Sequence, residues 1–358
     1  MTQLFADGTV ETPPASRVAA LTASLAPPGL AAWRSFFTPK FNAKHATPGP
    51  KGAAPLRLVP AAFTPSRLMP ALRSYSGVRH RGSRGEPGPA ALGRIGALEV
   101  RLAVTAADVR RAQRLRYEVF YEEMSATPAA AMRLTRRDVD AFDGICDHLL
   151  VLDHDSCRMV RGKRVPRVVG TYRLLRQEIA DRHNGFYTAS EFDIAPLLAR
   201  HPHRRFLELG RSCVLASYRN KRTVELLWHG IWAYVRRHGI DVMFGCASLE
   251  GCDPQALARP LAFLHHFAPT DPEWAAQALP RHAAPMDLVS VEALDAKAAL
   301  AALPPLIKGY LRLGAQIGRG AVVDRQFGTT DVLIVLPVEK ISPRYLDHFG
   351  VNGERHAA

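Results

Sequence analysis

The chain has 358 residues, 47% of them apolar, and a net charge of +14, enough for one large core or two ordinary ones. The charge is uneven: residues 1–95 hold 12 Lys/Arg against 3 Asp/Glu and 13 of the 27 prolines, which leaves +5 for the remainder. No apolar run approaches the ~20 residues of a spanning helix. No zinc-finger, RNP-like or stacked-aromatic basic pattern occurs, which argues against a nucleic-acid binder.

Residues 1–95 therefore read as a basic, Pro-rich tail, disordered or lying on a membrane. Its charge suits an anionic lipid surface or an acidic protein, and a solvated tail without a partner is the plain alternative. Arg17 to Phe37 is Arg-containing and acid-free, in the manner of a transit peptide, but Pro27-Pro28 breaks any helix there. Five cysteines (Cys146, Cys157, Cys213, Cys246, Cys252) form no C-x-x-C, so reduced thiols of a cytoplasmic protein are expected, with no metal site.

Order is expected from about residue 96. "LEVRLAV" (Leu98–Val104) alternates like a strand, and Thr105 with Asp108 signals a capped helix running to about Tyr121. On it Val109, Ala112, Leu115 and Val119 form an apolar stripe, with Arg116 and Phe120 as i,i+4 neighbours beside it. Asp140 and Asp143 precede a buried-type strand, Leu149–Leu152. "RVVGTYRLL" (Arg167–Leu175) is a second strand whose Gly170 marks a bulge or a close backbone approach. After "GFYTASEFDIAPLLA" (Gly185–Ala199), a short strand and a helical turn, comes "FLELGRSCVLASYRNKRTVELLWHGIWAYVRRHG", Phe206 to Gly239. It reads as a strand, a basic turn and an amphipathic helix that starts near Thr223, buries Leu227, Ile231, Tyr234 and Val235, and stops at Gly239. "DVMFGCASL" (Asp241–Leu249) is a further strand, then a helix is expected over Asp253 to His266, another after Pro304-Pro305, and a last strand at Thr330–Pro337. Alternating strands and helices predict an α/β fold: a mixed central sheet with helices on both faces.

Two features of that long segment carry chemistry. Arg219, Lys221 and Arg222 crowd a helix start, where unpaired N–H groups and the helix dipole already favour an anion, so the turn suits a phosphate; a solvated basic turn is the bland alternative. Glu208 and Arg211 lie inside an apolar strand, where an unpaired charge costs several kcal/mol, so each must be paired or face a cleft. Three residues apart, they point to opposite faces unless a bulge intervenes.

Strand, phosphate turn and helix in this order resemble the acyl-donor half of the GCN5-related N-acyltransferase fold, in which two parallel strands splay apart around a pantetheine arm. The strands here would be Phe206–Leu215 and Asp241–Leu249. That family's loop is Gln/Arg-x-x-Gly-x-Gly/Ala, whereas this chain reads "RNKRTV" from Arg219, with Arg222 and Val224 where glycines belong. Side chains there deny the close backbone approach a coenzyme A pyrophosphate needs. The departure favours a donor with a single phosphodiester, such as acyl carrier protein, an acidic partner that basic residues would steer. "LRYEVFYEEM", "DVDAFDGICDHLLV", "VVGTYRLL", "GFYTASEFDI", "FLELGRSCV" and "LPPLIKGYLRLGA…DRQFGTTDVLIVL" together resemble the ornithine-acyl carrier protein N-acyltransferases, over about 97 to 345. The same framework is similar to the acyl-homoserine-lactone synthases.

The resemblance implies an acyltransferase domain over 96–358, with a C-terminal extension at about 253–345. Its expected reaction moves a (3-hydroxy)fatty acyl group from acyl carrier protein to the α-amine of ornithine, with no bound cofactor. Arg116, Phe120, Asp140, Asp143, Arg173, Glu208 and Arg211 match the shared pattern. Glu208, assisted by Arg211, is the expected base, because an amine must lose a proton as it attacks a thioester. Backbone N–H groups near Cys213–Leu215 would hold the oxyanion, and Cys213, Val214, Leu215, Arg219, Lys221, Arg222 and Thr223 the donor arm. Arg116, Arg173 and Arg211 would hold a carboxylate or lock the acids, and Asp140 and Asp143 the distal ammonium; an ionic lattice with a purely structural job is the alternative. An acyl-homoserine-lactone synthase using S-adenosylmethionine, or a non-catalytic module that binds acyl carrier protein or membrane, are the rival functions. Two H-x-x-x-x-D matches, His148–Asp153 and His266–Asp271, are read as chance.

Overall fold

The computed structural model describes residues 91–342, apart from 125 and 161, together with residue 345. Most of the basic tail thus lies outside the described residues. Its last part does not: β1 (Gly93–Ile95) forms a hairpin with β2 (Leu98–Leu102).

Helix α1 (Ala106–Tyr117) starts as its sequence dictates, with the Thr105 side chain accepting from the Asp108 N–H. It continues as a π-helical turn, Glu118–Glu123, the kind of irregularity that re-aims side chains near functional sites; here it carries Phe120 and Tyr121 inward. A short α2 (Ala130–Thr135) follows. β3 (Asp147–Val160) and β4 (Lys163–Arg176) form a hairpin much longer than the apolar runs suggest, because only the half away from its turn is buried. The register shifts next to Gly170, where a Cβ would meet Val214 at 3.4 Å and Val151 at 3.5 Å, ordinary contact distances. Then come α3 (Gln177–Ala180), a 3-10 turn at Tyr187–Ser190, β5 (Phe192–Asp193) and α4 (Ala195–Arg200).

β6 (Phe206–Val214) leads to α5 (Lys221–His238), capped by Asn220 at its start and by Gly239 (φ 58°) at its end. β7 (Val242–Glu250) runs parallel to β6. Helix α6 spans Ala258–Phe267; it begins later than Asp253, because 253–257 forms turns. β8 (Gln277–Ala278) and β9 (Ala283–Ala284) are two-residue strands, α7 is Ala296–Ala302 and α8 is Pro305–Leu313. β10 (Gln316–Asp324), absent from the sequence reading, pairs antiparallel with β11 (Thr329–Pro337).

All strands join one sheet in the order β1-β2-β3-β4-β6-β7-β11-β10-β8-β5, with β9 on β10. The residues after 253 are therefore no appendage: β11 pairs with β7 over nine residues, and every residue of β11 is buried. Helices cover both faces. Gly230 of α5 lies against Leu149 and Val100, and Tyr172, opposite Leu149, reaches Tyr310 of α8. Arg173, the next residue on β4, points the other way, toward Asp143 and through it to Arg116 of α1.

Candidate active site

β6 and β7 pair only at Phe206–Val242, Leu207–Met243 and Glu208–Phe244; beyond that rung neither pairs with the other. Each keeps a partner on its far side, β4 and β11 respectively, so two open backbone edges face one another. Gly245 sits where they part, and a Cβ there would fall 2.2 Å from the Leu209 carbonyl oxygen. The crevice at this point is lined by Leu209, Met243, Gly245, Cys246, Tyr310 and Ile334.

Glu208 occupies the last shared rung. Its side chain is 5% exposed and lies under the 3-10 turn. Oε2 accepts from the Tyr187 N–H (3.1 Å), and Oε1 from the Thr188 N–H (2.7 Å) and hydroxyl (2.6 Å). Burial raises its pKa above the usual carboxylate value, against these three bonds, which favour the anion. A carboxylate offers about four acceptor positions, so one remains.

Arg211 is on the same side. β4 and β6 shift register between Thr171–Cys213 and Arg173–Gly210, so two residues of β6 oppose Tyr172, and Arg211 adopts φ 48°. This bulge returns its side chain to the face of Glu208. A left-handed arginine costs roughly 1–3 kcal/mol and needs a firm hold. The guanidinium lies 4.8 Å from the ring centres of both Tyr187 and Phe327 and is salt-bridged to Asp140 (3.3 Å) and Asp138 (3.5 Å). Phe120 is edge-on to Phe327, 5.7 Å between centres, so its role is to back this stack.

The remaining ions close on themselves. Arg116 binds Asp138 (2.7 Å) and Asp143 (2.8 Å), and Arg173 binds Asp140 (2.6 Å) and Asp143 (3.4 Å). Burial alone would push Asp143 up, but Arg116 and then Arg173 hold its carboxyl down at about 2. Three arginines thus neutralise three aspartates, one of which, Asp138, the sequence reading missed. This corrects the expectation that Asp143 holds a substrate ammonium: it is buried and fully engaged, as the structural-lattice alternative requires. Asp140, partly exposed, is paired to Arg173 and Arg211.

The phosphate turn is also rearranged. α5 begins at Lys221, not near Thr223, so Lys221 and Arg222 lie in its first turn. The Thr223 N–H is already spent on the Asn220 cap (3.2 Å). Arg219 grips Glu123 with both terminal nitrogens and donates to the Val214 carbonyl, and Lys221 pairs with Glu225 (3.4 Å). Arg222 alone of the three cations is exposed and has no ion pair among the described residues. The three expected cations therefore do not converge on one point.

A further correction concerns the oxyanion. The Leu215 N–H donates to Val169, so it is unavailable, and the register with Gly170 turns the Val214 backbone away from β4, its carbonyl taken by Arg219 and its N–H left toward the open edge. Val214 lies six residues from Glu208, roughly 20 Å at ~3.3 Å per residue, too far to serve a carbonyl attacked beside that carboxylate.

A family model described as an acetyltransferase (GNAT) domain matches residues 115–229. The L-ornithine N(alpha)-acyltransferase of Rhizobium meliloti (strain 1021) is 56% identical over 272 residues, 76% of this chain and 90% of that one. That of Agrobacterium fabrum (strain C58) is 59% identical over 264 residues, 74% and 88%. That of Brucella abortus (strain 2308) is 54% identical over 264 residues, 74% and 92%. The chain belongs to the L-ornithine N(alpha)-acyltransferase family. It is an acyltransferase of the GCN5-related fold, as its motifs imply.

Other candidates fall away in this L-ornithine N(alpha)-acyltransferase family member. Cys213 is buried and its thiol is pushed up to about 12 by burial, so it is no nucleophile. His148 and Asp153 both lie within β3, with His148 buried and its Nε2 on the Asp143 carbonyl; His266 bonds the Val289 carbonyl. The residues missed by sequence reading are those without a charge signature, Tyr187, Thr188 and Phe327, and the acids Glu191 and Asp331, which only the sheet brings near.

Proposed function

We propose that this chain transfers a fatty acyl group from the phosphopantetheine thioester of acyl carrier protein to the α-amine of ornithine, giving the lyso form of ornithine lipid. The observation that carries the reading is the position of Glu208 on the last rung before β6 and β7 part. A pantetheine arm would enter the crevice from the α5 side and bond the open edge at the Val214 N–H, with Cys213 and Leu215 flanking it on β6 and its phosphate against the exposed Arg222 in the first turn of α5. The thioester would then emerge beside Glu208. An α-amine is largely protonated at neutral pH. Glu208, directly or through one water, takes the proton as nitrogen attacks the thioester carbon; the tetrahedral adduct expels the pantetheine thiolate, which leaves as the thiol once protonated. Arg211, fixed between two rings, is positioned for the acceptor's carboxylate.

The donor assignment rests on Arg222 and Val224 replacing loop glycines. No described helix is long and apolar enough to cross a membrane, and the +9 of residues 1–95 suits a peripheral place on the anionic inner face of the cytoplasmic membrane. Expression in a host without such lipids tests the function. A new amine-containing lipid with the mass of lyso-ornithine lipid is expected; a medium containing acyl-homoserine lactone instead would overturn it. Arg222→Glu should weaken carrier-protein binding, and binding should fall steeply with salt. Coenzyme A thioesters serving equally well would refute the donor.

A further inference from the structure

The lattice of arginines and aspartates leaves a diamino-acid acceptor's second ammonium without a counter-ion, because Asp138, Asp140 and Asp143 are already neutralised. A second acidic group lies beside the turn that holds Glu208. Glu191 caps the 3-10 turn that holds Glu208, and its N–H bonds the Thr188 carbonyl (3.0 Å). Asp324 ends β10 and Asp331 lies within β11. One carboxylate oxygen from each lies within 4.8 Å of the others. Cys246 links the group to the base: its thiol is 3.8 Å from the Thr188 hydroxyl, which in turn donates to Glu208.

Two of these acids interact with neutral neighbours, Glu191 with Cys246 and Tyr187 and Asp331 with Ser248 and Thr329, yet each keeps one oxygen without a partner. Glu191 is 7% exposed and Asp331 6%, and Glu191 Oε2 and Asp331 Oδ1 are buried with no hydrogen-bond partner. Asp324 spends Oδ1 on the Gln326 and Phe327 N–H groups, which leaves its other oxygen. A buried carboxylate oxygen without a partner is costly, and a cation beside it removes that cost. Burial, with help from Asp331, pushes Glu191 up to about 7, and burial pushes Asp331 up to about 6, as expected of acids lacking their counter-charge. Arg211 draws Asp331 down only as a minor influence.

We infer that Glu191, Asp324 and Asp331 form the pocket that receives the distal ammonium of the amino-acid acceptor and so select a diamino acid over a monoamino one. This rests on the acyl-transfer reading above. Tetrahedral N–H donors at ~2.8 Å place their acceptors about 4.6 Å apart, inside the 4.8 Å within which the three oxygens lie. The three methylenes between ornithine's two nitrogens then set one against Glu208 and the other in the pocket.

The test compares ornithine with norvaline, which has the same carbon chain and no distal amine, using the full chain and acyl carrier protein as donor. Wild type should favour ornithine. In Asp331→Asn and Glu191→Gln the kcat/KM for ornithine should fall roughly tenfold or more beyond any fall for norvaline, the loss expected for one charged hydrogen bond. An unchanged ornithine-to-norvaline ratio in folded variants would overturn the pocket. Should Asp331→Asn fail to fold by thermal melt, Asp324→Asn, on the half-exposed hairpin end, is read the same way. Calorimetry separates this inference from the reading beneath it: a wild type that acylates neither acceptor refutes acyl transfer, yet tighter binding of ornithine than norvaline, lost in the variants, still supports the pocket. Discrimination that vanishes with EDTA and returns with magnesium or manganese ions would overturn it in favour of a metal.

Discussion

At the scale of single residues, two glutamate and arginine classes must be kept apart: those that touch the crevice and those that hold the fold. Glu208, buried on the last rung that β6 and β7 share, is proposed for the first. Glu208→Gln preserves volume and can still accept from Thr188, so donor binding should persist while kcat falls about 100-fold or more, the usual worth of general base catalysis. Single-turnover acylation and carrier-protein binding measured side by side check this. Loss of both together would mark Glu208 as structural. Arg116 belongs to the second class. Arg116→Leu strands Asp138 and Asp143 in the interior, and removing one partner of a buried pair costs about 3–5 kcal/mol, read as a lowered denaturant midpoint. The sign of the pH dependence follows from Asp143. Its folded value is depressed from 3.8 to about 2, so its contribution is full above pH 4 and is lost as pH falls through 2. Asp108, bound by Arg101 and also held at about 2, acts in the same window. In Arg116→Leu the Asp143 part of that acid sensitivity should shrink. Arg211 lies between the classes, with a strained backbone held by two rings and two carboxylates.

At the scale of elements, the decisive object is the pair of parting strands. Most of it was legible: a strand, a basic turn, an amphipathic helix with Gly239 as its stop and a second strand were all read from apolar periodicity and turn chemistry, and each is present. The bulge that turns Arg211 was only a condition in that reading, because a bulge is a mismatch between two strands and needs β4 as well as β6. The helix start was misplaced by two residues because Asn220, rather than the cations, is the cap. Gly245 tests the strand geometry. Gly245→Ala puts a methyl carbon into the Leu209 carbonyl at the parting point, so the strands must shift. The variant should lose about 1–3 kcal/mol of stability, in the range of overpacking, and the KM for the acyl donor should rise. Melting curves with donor kinetics decide; a donor KM equal to wild type would place the arm elsewhere.

At the scale of the whole molecule, the C-terminal third completes the sheet that the middle third begins. β11 carries Asp331 against Ser248 of β7, and the β10–β11 turn delivers Asp324 and Phe327. The sequence reading placed the last strand but missed β10, whose interrupted pattern, with Gly318 and Gly320 inside it, hides its alternation. The N-terminal charge belongs to this scale too. Deleting residues 1–90 removes basic charge while leaving β1 and β2 intact, and binding to vesicles rich in anionic lipid should fall severalfold at low salt, an effect that high salt abolishes. Vesicle co-sedimentation with and without those residues measures it, and equal partitioning would sink the membrane role of the tail.

Order along the chain was enough to determine the alternation of strands and helices, the family and the identity of the residues that bear charge, because periodicity, caps and motif spacing are local properties. What those charges do was settled only by tertiary structure. Asp143 and Arg116 look like substrate ligands in a motif, and the fold spends them on each other. Glu191 and Asp331, 140 positions apart and without any motif, are left by the sheet as buried acids with oxygens to spare. Whether a carboxylate is partnered depends on what lies across from it in space, and no spacing within one segment can specify that.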